Sequence, residues 1–401
     1  MPYTDPEDPG DIASFNVHNG FPEALVRGFK SGFLTEADYN NLCQCENLDD
    51  VRLNLQESDY DQFMSAQTKV TPALVQEKAI LKMVKEFNFI KAQAQEPLVT
   101  FLEYIQYEYM IENVMLLLKG TLSGRNVEEL IDQCHPLGLF APATMKLIPL
   151  FEASPKGYAD LYQTVLIDTP IGDYFSRFLE EHKPTGQDAA GAENAGMVRH
   201  VLEEVEIEII KNSLMKLYLE DFYRFCEKIG GDTAEVMCAL LGARADRNAI
   251  NITLNSFGGP LNEPHMRTTD RRRLYPAIGT LYPEATSDFT EVSDEAQLAA
   301  VLEPFPVFRE IWAVHLNENF GHKSIDDAFY ERDVEMLELA FEGQMHFGPF
   351  YAYVKLKEQE IRNLVWIGEC IVQRQRDEIH KFVPLFSENA PWRVARRGGA
   401  R

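Results

Sequence analysis

The chain has 401 residues and a formal net charge of −25, from 63 acidic against 38 basic side chains. That length suits two or three ordinary domains or one large helical body with a well-buried interior. The charge excludes nucleic acid, whose phosphates would be repelled, and direct adsorption to anionic lipid, so any membrane association has to run through a protein.

The segment MPYTDPEDPGDIASF has no basic region followed by an apolar block, and no apolar run reaches the roughly eighteen residues of a membrane span. The expectation is a cytosolic chain. Helical periodicity dominates and strand-like alternation is scarce, which predicts an all-α fold. Cysteines at 43, 45, 134, 226, 238 and 370 show no metal-ligand spacing and read as reduced, partly buried thiols.

In chain order, Leu102, Ile105, Tyr109 and Leu116 share one face of a helix that is expected to stop at Lys119-Gly120. His135, in CHPLG, reads as a satisfied histidine at a helix–loop junction. The stretch 184–197 is Gly- and Ala-rich and reads as a flexible insertion. GDTAEVMC opens a long helix, with Glu235 placed for a capping box with Asp232 or Thr233, and Gly258-Gly259 closes it. A long loop with a basic cluster, Arg271 to Arg273, follows. Ser324 caps SIDDAFYERD, with acids in the first turn where the helix dipole favours them.

The last long helix contains KLKEQEIRNLVWIGECIVQR, residues 355–374. At 100° per residue, Ile361, Leu364, Val365, Gly368, Ile371 and Val372 form a core-facing stripe. Trp366 falls on a second stripe with Glu358, Arg362 and Glu369. Two readings stand: packing under a neighbouring helix with the indole N–H satisfied, or a protein contact surface, where tryptophan and arginine concentrate binding energy.

Three segments, centred on Asn113, Asn248 and Asn363, share a charged residue, the asparagine, two apolar residues and an apolar residue four after the asparagine. Asparagine is a poor helix former, so the repeat predicts a recurring interhelical hydrogen bond.

The feature closest to catalysis is Asp326-Asp327-Ala-Phe-Tyr-Glu331, which resembles the aspartate-rich magnesium motif of helical prenyl and terpene synthases. NITLNSFGG supplies no second acidic motif, so the acids read as stabilising a helix start. Asp377-Glu-Ile-His380 is one element of a di-iron pattern that needs two. No phosphate loop, dinucleotide fingerprint or nucleophile elbow occurs.

Read together, seven blocks running in order from Phe15 to Phe386 resemble the d/AC39 subunit family of vacuolar-type proton-translocating ATPases, a family with archaeal-type relatives. They include FNVHNGFPEALVRGFKSGFLTEADYNNLCQCENLDDVRLNLQ, YMIENVMLLLKGTL, CHPLGLF, ADRNAINITLNSFG, LYPAIGTLYPE and QMHFGPFYAYVKLKEQEIRNLVWIGECIVQR. The resemblance implies an all-α, funnel-shaped body of three pseudo-threefold-related lobes, here about 15–134, 135–258 and 274–386; the end of the sequence, 387–401, is basic and Gly-containing, reads as a disordered tail and extends past the family's usual end. It implies a noncatalytic part, without cofactor or metal, that couples the central rotor stalk subunits D and F to the proteolipid c-ring on the cytosolic face of vacuolar, lysosomal or other acidic endomembranes. Subunit a of the membrane sector is a further implied partner. Phe101, His135, Glu358, Arg362, Trp366 and Glu369 carry over as interface or coupling positions. Arg244, in GARADRNA, stands where relatives carry an acid. The competing readings are a magnesium-dependent helical diphosphate enzyme and a helical scaffold unrelated to a pump.

Overall fold

The computed structural model describes residues 12–61, 70–122, 125–140, 167, 169–181, 207–316 and 324–390. Among them the regular elements are helices, with no strand, as the periodicity predicts. No described helix is long and apolar enough to cross a membrane. The expected insertion at 184–197 and the part of the tail beyond 390 lie outside these residues. Contacts divide the chain into two compact units built from non-contiguous stretches: Met1–Leu102, Cys226–Leu240 and Glu303–Arg401 in the first, Glu103–Phe225 and Leu241–Leu302 in the second.

The first unit is organised around its last long helix. Helices α1 (Ile12–Lys30), α2 (Glu36–Gln44), α3 (Leu48–Gln56) and α4 (Pro72–Lys91) open the chain, and α5 (Leu98–Leu122) begins in this unit. The starts are set by local chemistry. Thr35 and Asp38 form a capping box on α2, Asn47 caps α3, and Thr71 followed by Pro72 starts α4. Later in the chain α11 (Pro306–Leu316) and α12 (Ile325–Leu339) lead to α13 (Gly348–Gln373), which packs against α1, α3, α4 and α12. Ser324 and Asp327 make the expected capping box on α12, which fixes Asp327 by two hydrogen bonds to Ser324.

Helix α13 is buried on more sides than its apolar stripe predicts. Lys357, Gln359, Glu360 and Asn363 are all inside, a placement that requires partners for each charge and amide. Glu360 accepts the Leu34 N–H at 2.7 Å, the Tyr60 hydroxyl at 2.6 Å and the Lys357 ammonium at 2.7 Å. Lys357 also lies 4.3 Å from the centre of the Phe33 ring. Beside this pair, burial and the Glu360 carboxylate push the Tyr60 hydroxyl well above its ordinary pKa.

The second unit holds the rest of α5, then α6 (Val127–Asp132), α7 (Gly172–Glu181), most of α8 (Ile207–Ile229) and of α9 (Gly231–Ser256), and α10 (Glu295–Leu302). Helix α5 does not stop at Gly120. It continues to Leu122, and Gly120 is the seat on which Leu130 of α6 rests: a Cβ there would stand 2.3 Å from the Leu130 side chain. Close helix approach, not chain reversal, explains this glycine.

The expected start of α9 also differs. The helix begins at Gly231, and the Thr233 hydroxyl accepts the Phe347 N–H just ahead of α13, at 3.0 Å, within the first unit. The basic cluster at 271–273 is only partly a surface feature. Arg271 is fully buried and donates to Ser256 Oγ at 2.8 Å and to the carbonyls of Val292, at 2.7 Å, and Phe289. Asp246, also buried, accepts the N–H groups of Thr280 and Leu281, both at 2.9 Å. Desolvation raises its carboxyl to about 6 against those two bonds. Arg244 forms an ion pair with Glu108, its Nη1 donating to Oε2 at 2.7 Å. The basic residue at 244 is therefore the counter-charge of a buried acid.

The cysteines are free thiols, all buried except the half-buried Cys238. Burial pushes the Cys43 and Cys134 thiols up to about 11, so they are protonated near neutrality.

Candidate protein-contact surface

The asparagine repeat yields a clamp. On α5, Asn113 receives the His135 N–H on its Oδ1 at 2.7 Å and returns an Nδ2 hydrogen bond to the His135 carbonyl at 3.0 Å. On α13, Asn363 does the same for Val383, accepting its N–H at 3.3 Å and donating to its carbonyl at 2.7 Å. Each carboxamide holds both polar groups of one residue, 22 positions downstream in the first case and 20 in the second. The predicted interhelical bond is thus a helix-to-loop bond, because a carboxamide matches the donor–acceptor pair that an extended segment presents. In the middle copy Asp246, two residues before Asn248, does the equivalent work by accepting two successive N–H groups.

The first clamp determines what His135 does. Its ring stacks on Tyr109 with centroids 4.3 Å apart, and its Nδ1 accepts the Leu137 N–H at 3.2 Å, capping a 3-10 turn over Pro136–Gly138. Gly138 lets that turn lie on α5, since a Cβ would meet the Tyr109 backbone at 2.3 Å. His135 is a capping and stacking residue at a junction, as its setting in CHPLG suggests. Phe101 is fully buried in the first unit, against Phe347 at 5.3 Å. It supports the entry to α13 from inside and presents nothing at the surface.

The other four sequence-predicted residues share one face of α13, spanning about 16 Å from Glu358 to Glu369 at 1.5 Å per residue. Trp366 is 38% exposed. Its indole N–H donates to the Glu378 carbonyl at 3.1 Å, so the ring is held by the turn that follows the helix while one face stays open. The Arg362 guanidinium lies 3.9 Å from the centre of the Tyr330 ring of α12 and donates to Gln359. Glu358 pairs with Lys355 at 3.0 Å, and Glu369 accepts from Gln373 at 3.2 Å. Val372, placed by periodicity on the core stripe, is instead 54% exposed and extends the patch beyond Glu369; the helix ends at Gln373 and is capped by Arg374 in the left-handed backbone conformation.

The arrangement is a preformed plate: an aromatic ring fixed through its N–H, a guanidinium fixed over a second ring, and carboxylates on the flanks. Such a surface can bind another protein with little ordering cost. Tyr330, Gln359 and the Glu378 carbonyl, which hold it in place, were not singled out from sequence. Tyr330 lies within the acidic motif read for magnesium chemistry and could have been found by asking which ring lies near Arg362. Among the described residues no group of three or more His, Cys, Asp or Glu is placed to hold a metal ion.

The first unit also has a cleft of about 380 Å³, whose lining includes Glu36, Asp327, Glu331, His380, Lys381, Phe382, Pro384 and Leu385. The segment read as a tail from 387 begins in contact with its rim. Ser387 Oγ and Asn389 Nδ2 each donate to the Glu36 carboxylate at 2.8 Å, and Ala390 is fully buried.

The profile of the ATP synthase (C/AC39) subunit family matches residues 22–382. The chain belongs to this family. It is 43% identical to the V-type proton ATPase subunit d of Dictyostelium discoideum, over 94% of this chain and 98% of that protein. It is also 43% identical to the V-type proton ATPase subunit d1 of Arabidopsis thaliana, over 93% and 98%. With the subunit d of Saccharomyces cerevisiae the identity is 36%, over 93% and 99%. The C/AC39 match thus takes in the junction at His135 with its Asn113 clamp and the whole α13 face, and ends one residue short of Val383, the partner of Asn363.

Proposed function

We propose that the chain is a noncatalytic subunit of a V-type proton ATPase, coupling the central rotor stalk to the proteolipid c-ring on the cytosolic side so that ATP hydrolysis drives proton transport. The observation that carries this reading is the near end-to-end likeness to proteins named V-type proton ATPase subunit d. The structure's physical character suits the role. Torque needs a body that does not yield, and both units tie their loops down with clamps and buried charges. A net charge of −25 favours the Lys- and Arg-biased cytosolic loops of a membrane ring over anionic lipid around it. The stalk subunits D and F and subunit a are the expected neighbours, and the α13 face around Trp366 is the surface offered to one of them.

A diphosphate enzyme is disfavoured because Asp327 is engaged by Ser324 in a helix cap. Affinity isolation of the tagged chain from detergent-solubilised acidic-organelle membranes tests the proposal. Recovery of the c-ring together with stalk subunits is expected, and recovery of the chain alone would overturn it.

A further inference from the structure

We propose that His346 is a proton-operated latch: when its ring takes up a second proton, the junction 341–348 between α12 and α13 comes away from α1 and α9, and the entry to the long helix loosens. The inference concerns this junction alone and does not depend on the pump reading.

The junction is a strap tied down through its backbone. Arg27 of α1 donates to the Phe341 carbonyl at 2.9 Å and to the Gly343 carbonyl, and Glu23, which holds Arg27, accepts the Met345 N–H at 3.1 Å. Thr233 of α9 takes the Phe347 N–H at 3.0 Å. Met345 itself has a φ of 63°, a left-handed conformation that a bulky residue keeps only where its surroundings impose it. Every group in the strap and its moorings lies in the first unit.

His346 sits inside this strap, 1% exposed, with its ring between Gly343 and Gly348: a Cβ on the first would stand 2.8 Å from Nε2, and one on the second 2.7 Å from Cε1. Phe347 gives α13 no side-chain cap, and His346 supplies it, its Nδ1 accepting the Gly348 N–H at 3.1 Å. An accepting Nδ1 leaves the ring's one proton on Nε2, which is buried without a hydrogen bond of ordinary geometry. A second proton has to enter at Nδ1, where it meets the Gly348 N–H head on. Protonation therefore breaks the cap and places a positive charge at the positive end of a 26-residue helix.

The charged groups that face the ring are Glu23 and Arg27 on α1 and Asp232 at the start of α9. Burial is the largest influence and pushes the ring's pKa below its ordinary value; Glu23 works against it, Arg27 adds to it, and Asp232 and the Gly343 carbonyl work against it. The fold thus prefers the neutral ring. The latch's contribution is fully present above about pH 6.5 and is lost as pH falls through the lowered folded value.

Hydrogen exchange of the full-length chain between about pH 7.5 and pH 5, expressed as protection relative to the unfolded chain at each pH, tests this. Protection of the Met345, Phe347 and Gly348 amides is expected to fall at least about tenfold toward the acid end, with no such fall in the middle of α13. In His346→Asn, whose carboxamide oxygen stands near the Nδ1 position and takes up no proton, these amides are expected to stay protected across the range. Should loss of the ring perturb packing in that variant, isotope-labelled histidine in the unaltered chain gives a second reading: the His346 imidazole resonances are expected to titrate with the same midpoint as the loss of protection. Protection that stays flat in the unaltered chain, or a midpoint that differs from that of the imidazole, would overturn the proposal. So would an acid-induced loss that persists in His346→Asn, which would assign the effect to Glu23 or Asp232.

Discussion

The two units bury charge by different means. In the first, Glu360 is met by another side-chain charge, Lys357, and by Tyr60, with one backbone N–H from Leu34. In the second, Arg271 pairs with no carboxylate among the described residues and is met by a hydroxyl and backbone carbonyls, and Asp246 is met by two backbone N–H groups. A side-chain pair can be replaced as a pair. A charge that satisfies backbone cannot, because the backbone groups remain when it is gone.

The sharpest break of this contrast is at Glu360. Glu360→Ala leaves a buried ammonium and strands Tyr60 and Leu34, and is expected to cost about 3–5 kcal/mol in denaturant unfolding. The double variant Lys357→Met/Glu360→Leu is expected to recover the share due to the unpaired ammonium, while Tyr60, the Leu34 N–H and the Gly32 carbonyl stay without their partners. Arg271→Met is expected to cost about 1–3 kcal/mol for each carbonyl left unpaired, with no second substitution that restores it. A double variant as unstable as Glu360→Ala would remove the distinction.

The clamps come next. Asn363→Ala and Asn113→Ala each orphan an N–H and a carbonyl, at about 1–3 kcal/mol. The Asn113 variant is also expected to free the His135 ring from Tyr109, measurable as a shift of the His135 imidazole resonances.

Asp246 sharpens the comparison through pH. Its carboxyl is raised from 3.8 to about 6 in the fold, so the folded state holds the proton more tightly than the unfolded one. Its stabilising contribution is fully present below about pH 4 and is lost as pH rises through about 6. Asp246→Asn is expected to flatten the stability profile across that window, and an unchanged profile would contradict the assignment.

The smallest expected effect on the fold is that of Trp366→Ala. It removes a half-open ring and one hydrogen bond to Glu378, so unfolding is expected to shift by about 1 kcal/mol while assembly into the membrane complex weakens by tenfold or more. A large loss of stability with normal assembly would make Trp366 a scaffold residue.

The all-α class, the Ser324 cap and the exposed stripe of Glu358, Arg362, Trp366 and Glu369 were legible because they depend on local spacing. What was not legible depends on distant partners. Nothing in EQEIRN says that Glu360 is buried, because its partners Leu34 and Tyr60 are some 300 positions away. Arg271 looked like part of a basic patch for the same reason, and Gly120 looked like a stop because Leu130 had not yet been placed upon it. The asparagine repeat was visible, but its partner was a loop peptide and not a helix.

The account turns on a subunit that transmits rotation and makes no bonds of its own. The direct measurement is ATP-driven acidification of vesicles containing the membrane sector, reconstituted with the catalytic sector and stalk, with and without this chain. Acidification that needs the chain, while the purified chain alone hydrolyses no ATP, is the predicted result. Equal acidification in its absence would contradict it.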